Sequence, residues 1–416
     1  MRPAKVVFVN RYFHPDESAT SRLLSDLAFR LAAAGVPVSV ITSRQLYENP
    51  RARLPAHEHI RGVEVHRIAT ARRGRSGLAG RALDYASFHV SAGWQLLRVL
   101  SPGDVVVAKT DPPLICIAAQ QAARRRGASL VNWLQDVFPE VAGVLTPALI
   151  PAPLRRLVTG LRDRALRAAA VNVVLSEGMR ARLQQRGVAA GRLRVVPNWT
   201  DTDAIRPLPS DQSTTRRRHG LDGRFVVGYS GNFGRAHEFD TLLGAARLLA
   251  GDGFTFLMTG GGARWQELRA AAATGGLDNL IFQGYQPAEL LGDSLAAADV
   301  HLVSLLPALE GLIVPSKVYG ILAAGRAVLF IGDTGGDTAQ LIREHDCGIA
   351  VEVGDSQGMA AQLRALRAAP ERLQRMGHNA RELALARYTG AGAAEEWLRV
   401  LRGIAPAAAA TTPPPA

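Results

Sequence analysis

Cysteine is almost missing from this chain. Cys116 and Cys347 are the only two in 416 residues, and with no His or Cys companion at metal-ligand spacing neither a disulfide framework nor a zinc site is indicated. Both are expected to be core residues. Long apolar runs are missing too: no stretch of 18 uncharged apolar residues occurs, so a spanning helix is not expected. The polar start MRPAKVVFVN passes directly into a strand pattern instead of a signal peptide, which points to the cytoplasm. No repeat of 20–50 residues is visible, and no segment completes G-x-G-x-x-G, so a dinucleotide cofactor is not expected. Lysine is the scarcest charged type. Only three lysines stand among 49 basic residues, so the one at Lys317 invites a reason.

What is present is enough for two cores. At 416 residues, with 47% hydrophobic and 20% charged side chains, the chain suits two globular domains. The net charge of +13 lies wholly in the first half: residues 1–200 hold 29 basic and 13 acidic side chains, the remainder 20 and 23. Such a half suits an anionic bilayer surface or polyanionic small molecules, or is simply an Arg-rich solvated face. Nucleic acid is not expected as a partner, because the clusters Arg72-Arg73-Gly74-Arg75, Arg124-Arg125-Arg126 and Arg155-Arg156 lack interleaved aromatics.

Short β-branched runs alternate with Ala/Leu/Arg stretches of helical period. KVVFVN, VPVSVIT, VEVHRIA, DVVVAKT, SLVNWLQ, VNVVLS and RLRVVPN read as strands in the first half. RFVVGYSG, FTFLMTGG, LIFQGY, DVHLVSL, AVLFIG and GIAVEV follow in the second. Nearly continuous apolar strands separated by helices mark parallel, doubly wound α/β sheets. The expected organisation is a first domain over 1–200, a linker over 201–223, a second domain over 224–385, a terminal helix over 386–403 that packs back on the first domain, and a disordered Ala/Pro/Thr tail over 404–416.

Open α/β sheets bind ligands at the carboxyl ends of their strands. In the second domain those ends carry Gly231-Asn232-Phe233-Gly234-Arg235 and Thr259-Gly260-Gly261-Gly262, where glycines permit close backbone approach and Arg235 supplies a fork of donors, or where the glycines only make tight connections. In LEGLIVPSKVYGILAAGR, Ser316 is the expected N-cap of a helix whose free N–H groups and dipole, with Lys317, form an anion site suited to a diphosphate. Glu310 precedes it as an acceptor for sugar hydroxyls, beside the amides of Gly311 and Leu312. The competing reading is a surface Glu and an exposed helix-start Lys. In the first domain, Glu17, Ser18, Ala19 and Thr20 lead into a helix whose small residues allow a ligand to approach, with Asp16 and Glu17 alternatively serving as first-turn dipole partners. Asp136, in VNWLQDVFPE, is either a site carboxylate at the same edge or a buried N-cap. Asp201-Thr202-Asp203 reads as a turn and not a metal site.

Assembled, these residues resemble the family 4 glycosyltransferases of GT-B fold over nearly the whole chain. The matching pieces run in the family's order: Pro15 to Thr20, LSEGMRARL, RLRVVPNWTD, YSGNFGRAHEFDTLLGAARLL, LMTGGG, IFQGYQPAELLGDSLAAADV and EGLIVPSKVYGILAAGR. The last is most similar to the branch that builds bacterial surface polysaccharides and includes fucosyl- and fucosamine-transferring enzymes. The resemblance implies α/β architecture with two Rossmann-like domains facing each other across a cleft. It also implies a retaining transfer from a nucleotide diphosphate sugar, with no metal or other cofactor. Glu310 would contact the donor sugar, Arg235 and Lys317 would neutralise the departing diphosphate, and Gly284-Tyr285-Gln286 would hold the base. Asp136 and Glu17 would meet the donor sugar or the acceptor. A polyprenyl-diphosphate saccharide is the implied acceptor, with Thr70 to Leu100 docking on the anionic inner leaflet. This sequence departs from the family at Val318, where a second glutamate is usual, at His237, where a lysine is usual, and at Gln135 and Trp199. A nucleotide-sugar epimerase and a non-catalytic sugar- or nucleotide-binding protein are the alternatives.

Overall fold

In this computed structural model, residues 4–71, 73, 77–147 and 150–404 are described. The expected tail over 404–416 therefore lies, apart from Ile404, outside the described residues, as do Arg72 and Arg75. The chain divides into two compact units, Met1–Pro197 with Ala391–Ala416, and Asn198–Gly390.

The first unit carries β1 (Val6–Val9), β2 (Val38–Ser43), β3 (His57–Ile60), β4 (Val63–Ile68), β5 (Val105–Lys109), β6 (Ser129–Trp133), β7 (Val171–Val174) and β8 (Leu193–Val195). They lie side by side in the order β3-β4-β2-β1-β5-β6-β7-β8. Every pairing is parallel except β3 with β4. Strands such as Val105–Lys109 are buried along their whole length, as expected of a sheet covered by helices on both faces. The helices Gly77–Val99 and Ile115–Arg126 supply much of one cover, packing Phe88, Leu96, Ile115 and Ala119 on Val7, Val9 and Val106. The last helix, Gly390–Arg402, sets Trp397 against Phe8 and Trp133.

The second unit carries β9 (Phe225–Asn232), β10 (Phe254–Gly261), β11 (Leu280–Gln283), β12 (Val300–Ser304), β13 (Ala327–Ile331) and β14 (Gly348–Val351), all parallel, in the order β11-β10-β9-β12-β13-β14. This is the doubly wound order, and it reverses between β9 and β12.

Two expectations need correction. The stretch 201–223 is no free linker: its Ser213 caps the short helix Thr214–Arg218, and Thr214 and Thr215 bond the Asp293 carboxylate. Arg216 is buried against Asp299 and the carbonyls of Ala297 and Arg224. Residues of this polar stretch thus find partners about 80 positions along the chain. The second miss is β3. His57-Glu58-His59-Ile60 has no apolar run to announce a strand, and its pairing comes from the two-residue turn Arg61-Gly62, with φ of 49° and 83°, the mirror-type turn that closes tight hairpins.

Candidate functional site

The reversal of strand order in the second unit creates the crevice where such sheets bind ligands. β9 ends there in Tyr229-Ser230-Gly231-Asn232 and β12 in Ser304. Gly231 and Gly260 both adopt the left-handed region, at φ of 133° and 136°, and a Cβ on Gly260 would stand 2.0 Å from the Gly231 carbonyl oxygen. No other residue fits at Gly260 without displacing the Gly231 backbone.

Lys317 reaches this point from the start of the helix Lys317–Ala323. Its Nζ donates to Tyr229 Oη at 2.5 Å, lies 3.3 Å from His237 Nε2 and sits 4.0 Å above the Tyr229 ring. His237 Nδ1 is 2.5 Å from the Ser304 carbonyl oxygen, so Nδ1 carries the proton and donates, leaving the Nε2 lone pair to accept from the ammonium. Burial, reinforced by the Lys317 charge, lowers the imidazole to about 3 and keeps it neutral. Burial alone lowers the Lys317 ammonium to about 7. Among the described residues no carboxylate pairs with it. The usual counter-ion is missing from a cation that has been taken partly out of water, so the arrangement favours an incoming anion.

The other expected residues of this unit fall around that point with different standing. Arg235 is exposed in the loop after β9, free to swing toward an anion. Asn232 is exposed, and its carbonyl accepts from Tyr229 Oη at 2.8 Å. Gly234 lies in the same loop. Gly284 and Tyr285 follow β11, with the Tyr285 ring 62% exposed and its hydroxyl donating to the Gly261 carbonyl at 3.0 Å. Ser316 occupies the N-cap position but its hydroxyl makes no capping bond, which corrects the expected side-chain cap. Leu312 N–H donates to Leu309 at 2.9 Å, so that amide is spent within a turn for which Gly311 supplies a φ of 72°. Glu310 is neither free on the surface nor beside Lys317 as a partner: its Oε1 accepts from Asp337 N–H at 2.8 Å. It thereby caps the helix Asp337–Glu344, whose own N-cap residue is Gly336. A Cβ on Gly336 would lie 2.5 Å from Glu310 Cδ. Val318 is buried, so no carboxylate is presented from that position.

In the first unit the strand order reverses between β1 and β5. Arg11 N–H donates to the Asp111 carbonyl at 2.6 Å, joining the two strand ends. Thr20 Oγ1 donates to Asp111 Oδ2 at 3.2 Å, while Lys109 Nζ donates to the Thr20 carbonyl at 2.8 Å and lies 3.9 Å from the Trp133 ring. Burial drives Lys109 well below its ordinary range and raises Asp111. Neither residue was singled out from sequence; the scarcity of lysine, used there for Lys317 alone, is the signal that could have found Lys109. Asp136 joins this edge after β6. It caps no helix: Pro139 holds the N-cap position of Glu140–Leu145. Its Oδ1 is buried without a partner, and burial, then the charge of Asp111, raises the carboxyl to about 7. With Thr110, Cys116, Asn132 and Arg162 it lines a cavity of about 20 Å³, room for roughly one water.

Glu17 does not join this group. It is exposed and pairs with Arg22, and neither it nor Asp16 lies in the first turn of the helix Ala19–Ala33, which holds no acid there. Asp16 is the buried one, accepting from Ser18 N–H at 2.9 Å, from the Ser18 hydroxyl and from Tyr47 N–H at 2.5 Å. Ala19 opens the helix beside Ser18.

Because its folded carboxyl titrates near 7 and an unfolded one near 4, Asp136 makes the native chain bind the extra proton between those values. Stability then falls as pH rises through that window. Asp136→Asn is expected to gain up to about 4 kcal/mol at pH 8 and nothing at pH 4; calorimetric melts at both pH values check this, and an equal shift at both would remove the assignment.

Known proteins share the two domains and the fold of this chain. Residues 19–199 match the glycosyl transferase 4-like domain and residues 224–368 the glycosyl transferases group 1 model. The chain is 26% identical over 349 residues to a probable glycosyltransferase, WbjE, of Pseudomonas aeruginosa, covering 83% of this chain and 85% of that protein. It is 26% identical over 362 residues to a putative colanic acid biosynthesis glycosyl transferase, WcaI, of Escherichia coli K12, covering 83% and 88%. Sucrose-phosphate synthase of Thermosynechococcus elongatus has the same fold, with a TM-score of 0.76 at 18% identity over 96% of this chain and 98% of that one. So does Anabaena HepE, solved with UDP and glucose, with a TM-score of 0.71 at 18% identity over 96% and 100%. The strand orders, the crevice chemistry and both domain matches lead to one conclusion: the chain belongs to the GT-B glycosyltransferases that join a glycosyl transferase 4-like domain to a group 1 domain.

Proposed function

We propose that the protein transfers a sugar of the hexose or fucosamine class, with retention, from a UDP-sugar to a lipid-linked saccharide during surface polysaccharide synthesis. The observation that carries this reading is Lys317: an amine without a carboxylate partner, held at the β9–β12 crevice by Tyr229 and His237. When the glycosidic bond to the diphosphate breaks, negative charge grows on the leaving phosphate. A preorganised ammonium stabilises that charge more than it stabilises the ground state. Arg235 closes on the same diphosphate with its planar fork. Gly231 and Gly260 let the phosphates approach backbone, and the exposed Tyr285 gives the base a flat face. Glu310, fixed by the helix it caps, offers a rigid acceptor for sugar hydroxyls. His237 stands where the resemblance has a lysine, and Lys317 brings its amine to that same ring from another element, so the positive charge is kept. The UDP bound by HepE and the colanic acid role in the WcaI name support the donor and the pathway. No cofactor is needed for these steps.

The decisive experiment follows release of nucleoside diphosphate from a panel of UDP-, GDP- and dTDP-sugars with a lipid extract as acceptor. Release from one UDP-sugar, dependent on the extract, is the expected result; binding of nucleotide without release from any donor would sink the reading.

The acceptor implies the inner face of the cytoplasmic membrane. Among the described residues no helix is long and apolar enough to span one. The basic first unit nevertheless exposes Leu83, Val90 and Trp94 on one face of Gly77–Val99, with the Arg98 guanidinium 3.7 Å from the Trp94 ring. A second stripe, Leu154, Leu157 and Leu161, lies exposed on Ala152–Ala168 beside Arg156 and Arg164. Apolar stripes flanked by arginine suit the headgroup region of an anionic leaflet. Sedimentation with anionic vesicles is expected at low salt, reduced at high salt and weakened several-fold by Trp94→Glu; absence of binding at low salt removes the membrane contact.

A further inference from the structure

The hairpin of β3 and β4 carries a cluster that sugar transfer does not use. His57 and His66 are direct cross-strand partners, and Glu64 lies two residues before His66, so all three side chains share one face. Glu64 Oε1 stands 3.3 Å from His57 Nε2 and 3.3 Å from His66 Nε2, and the three ligand atoms lie within 4.8 Å of one another. Bonds of about 2.0–2.1 Å in a tetrahedral site place ligand atoms about 3.3 Å apart, so two of the three edges already have the required length. His66 Nε2 is buried and its approach to Glu64 is not aligned as a hydrogen bond, leaving it without a bonding partner. The second carboxylate oxygen, Oε2, accepts from Ser39 Oγ at 2.8 Å, the kind of outer contact that orients a metal-binding carboxylate. Lys5 is the cation nearest in influence, and its ammonium is turned to the Val99 carbonyl.

We propose that His57, Glu64 and His66 form a binding site for a divalent transition-metal ion of the zinc type, with water in the fourth position. Two imidazoles and one carboxylate are the donor set such borderline ions take, in preference to magnesium or calcium. The site is structural. β3 is the sheet's edge strand, joined only to β4, and its burial alternates between exposed and partial; a metal bridging His57 to His66 fastens that edge across the hairpin.

The test uses the full chain without a histidine tag, stripped by chelator and titrated with ZnCl2 in a calorimeter and against a chromophoric chelator. One zinc per chain with a Kd of roughly 10 µM or tighter is expected, at least tenfold weaker in His57→Ala, His66→Ala and Glu64→Gln, and unchanged in His378→Ala, a control at an exposed histidine on the second unit's helix Pro370–Arg387. Zinc should raise Tm by about 2–4 °C or more in the wild type only, and magnesium should do neither. Chelation should leave sugar transfer intact, which separates this site from the transfer chemistry. Absence of saturable binding, or binding that survives both histidine replacements in variants whose circular dichroism is native, would overturn the proposal.

Discussion

Lys317→Ala is expected to lower kcat/KM for sugar transfer by roughly 10²–10³-fold, the size of effect that follows loss of one preorganised donor to a developing anion. The variant should stay folded. Removing a partly buried ammonium relieves a desolvation cost, so Tm should hold or rise. The same residue sets a pH dependence whose sign is fixed by its position. An unfolded lysine titrates near 10.5 and this one near 7, so the unfolded chain holds the extra proton between those values. Folding stability therefore rises with pH there, whereas anion binding, which needs the charged form, weakens. Affinity for UDP should fall by up to about tenfold per pH unit above 7, with a proton taken up on binding. Calorimetry in buffers of different ionisation enthalpy measures both. Lys317→Arg, charged throughout, should flatten the profile; a wild-type affinity that is flat from pH 6 to 9 would show that Lys317 does not meet the phosphates.

Glu310→Ala should lose two things together. Without its carboxylate the helix Asp337–Glu344 loses the acceptor for Asp337 N–H, and Gly336 has no side chain to replace it. The cost of such a cap is about 1–2 kcal/mol. Turnover should fall by about 10²-fold if the same carboxylate orients the donor sugar. Glu310→Gln separates the roles: its amide oxygen can still accept from Asp337 N–H and recover most of the stability, while the lost charge leaves turnover depressed. Melting curves beside nucleoside diphosphate release would show it. Full activity in the glutamine variant would assign Glu310 to the helix alone.

The burial of Val318 bears on the same element. A second carboxylate at that position would have to enter the core, where Val318 is buried. Lys317, one residue earlier, turns instead toward the crevice.

Much of this was determined by the sequence alone. Val-rich runs such as Val105–Lys109, alternating with helical stretches, are the signature of a parallel sheet covered on both faces, and they recur in two sets, so two doubly wound units were expected from the pattern. Glycines 231 and 260 mark strand ends because other residues resist the backbone geometry required there. Glu310, Lys317 and Arg235 were legible as charged residues beside strand ends and buried runs. The scarcity of lysine drew attention to Lys317.

Tertiary structure decided which groups meet. His237 and Lys317 are 80 residues apart, and only the order β9-β12 brings the loop after one strand to the helix that follows the other. Asp111 and Lys109 became visible as buried, unusual groups only once β1 and β5 were paired, because burial and not residue type shifts their protons. Glu17 and Asp16 look equivalent as neighbours, yet the fold buries one and leaves the other in water. The hairpin strand β3 has no hydrophobic pattern at all, and its existence rests on a turn and a partner strand. Periodicity reports which face of an element is apolar; it carries no information about contacts between residues distant in the chain, and the chemistry of this protein is made of those contacts.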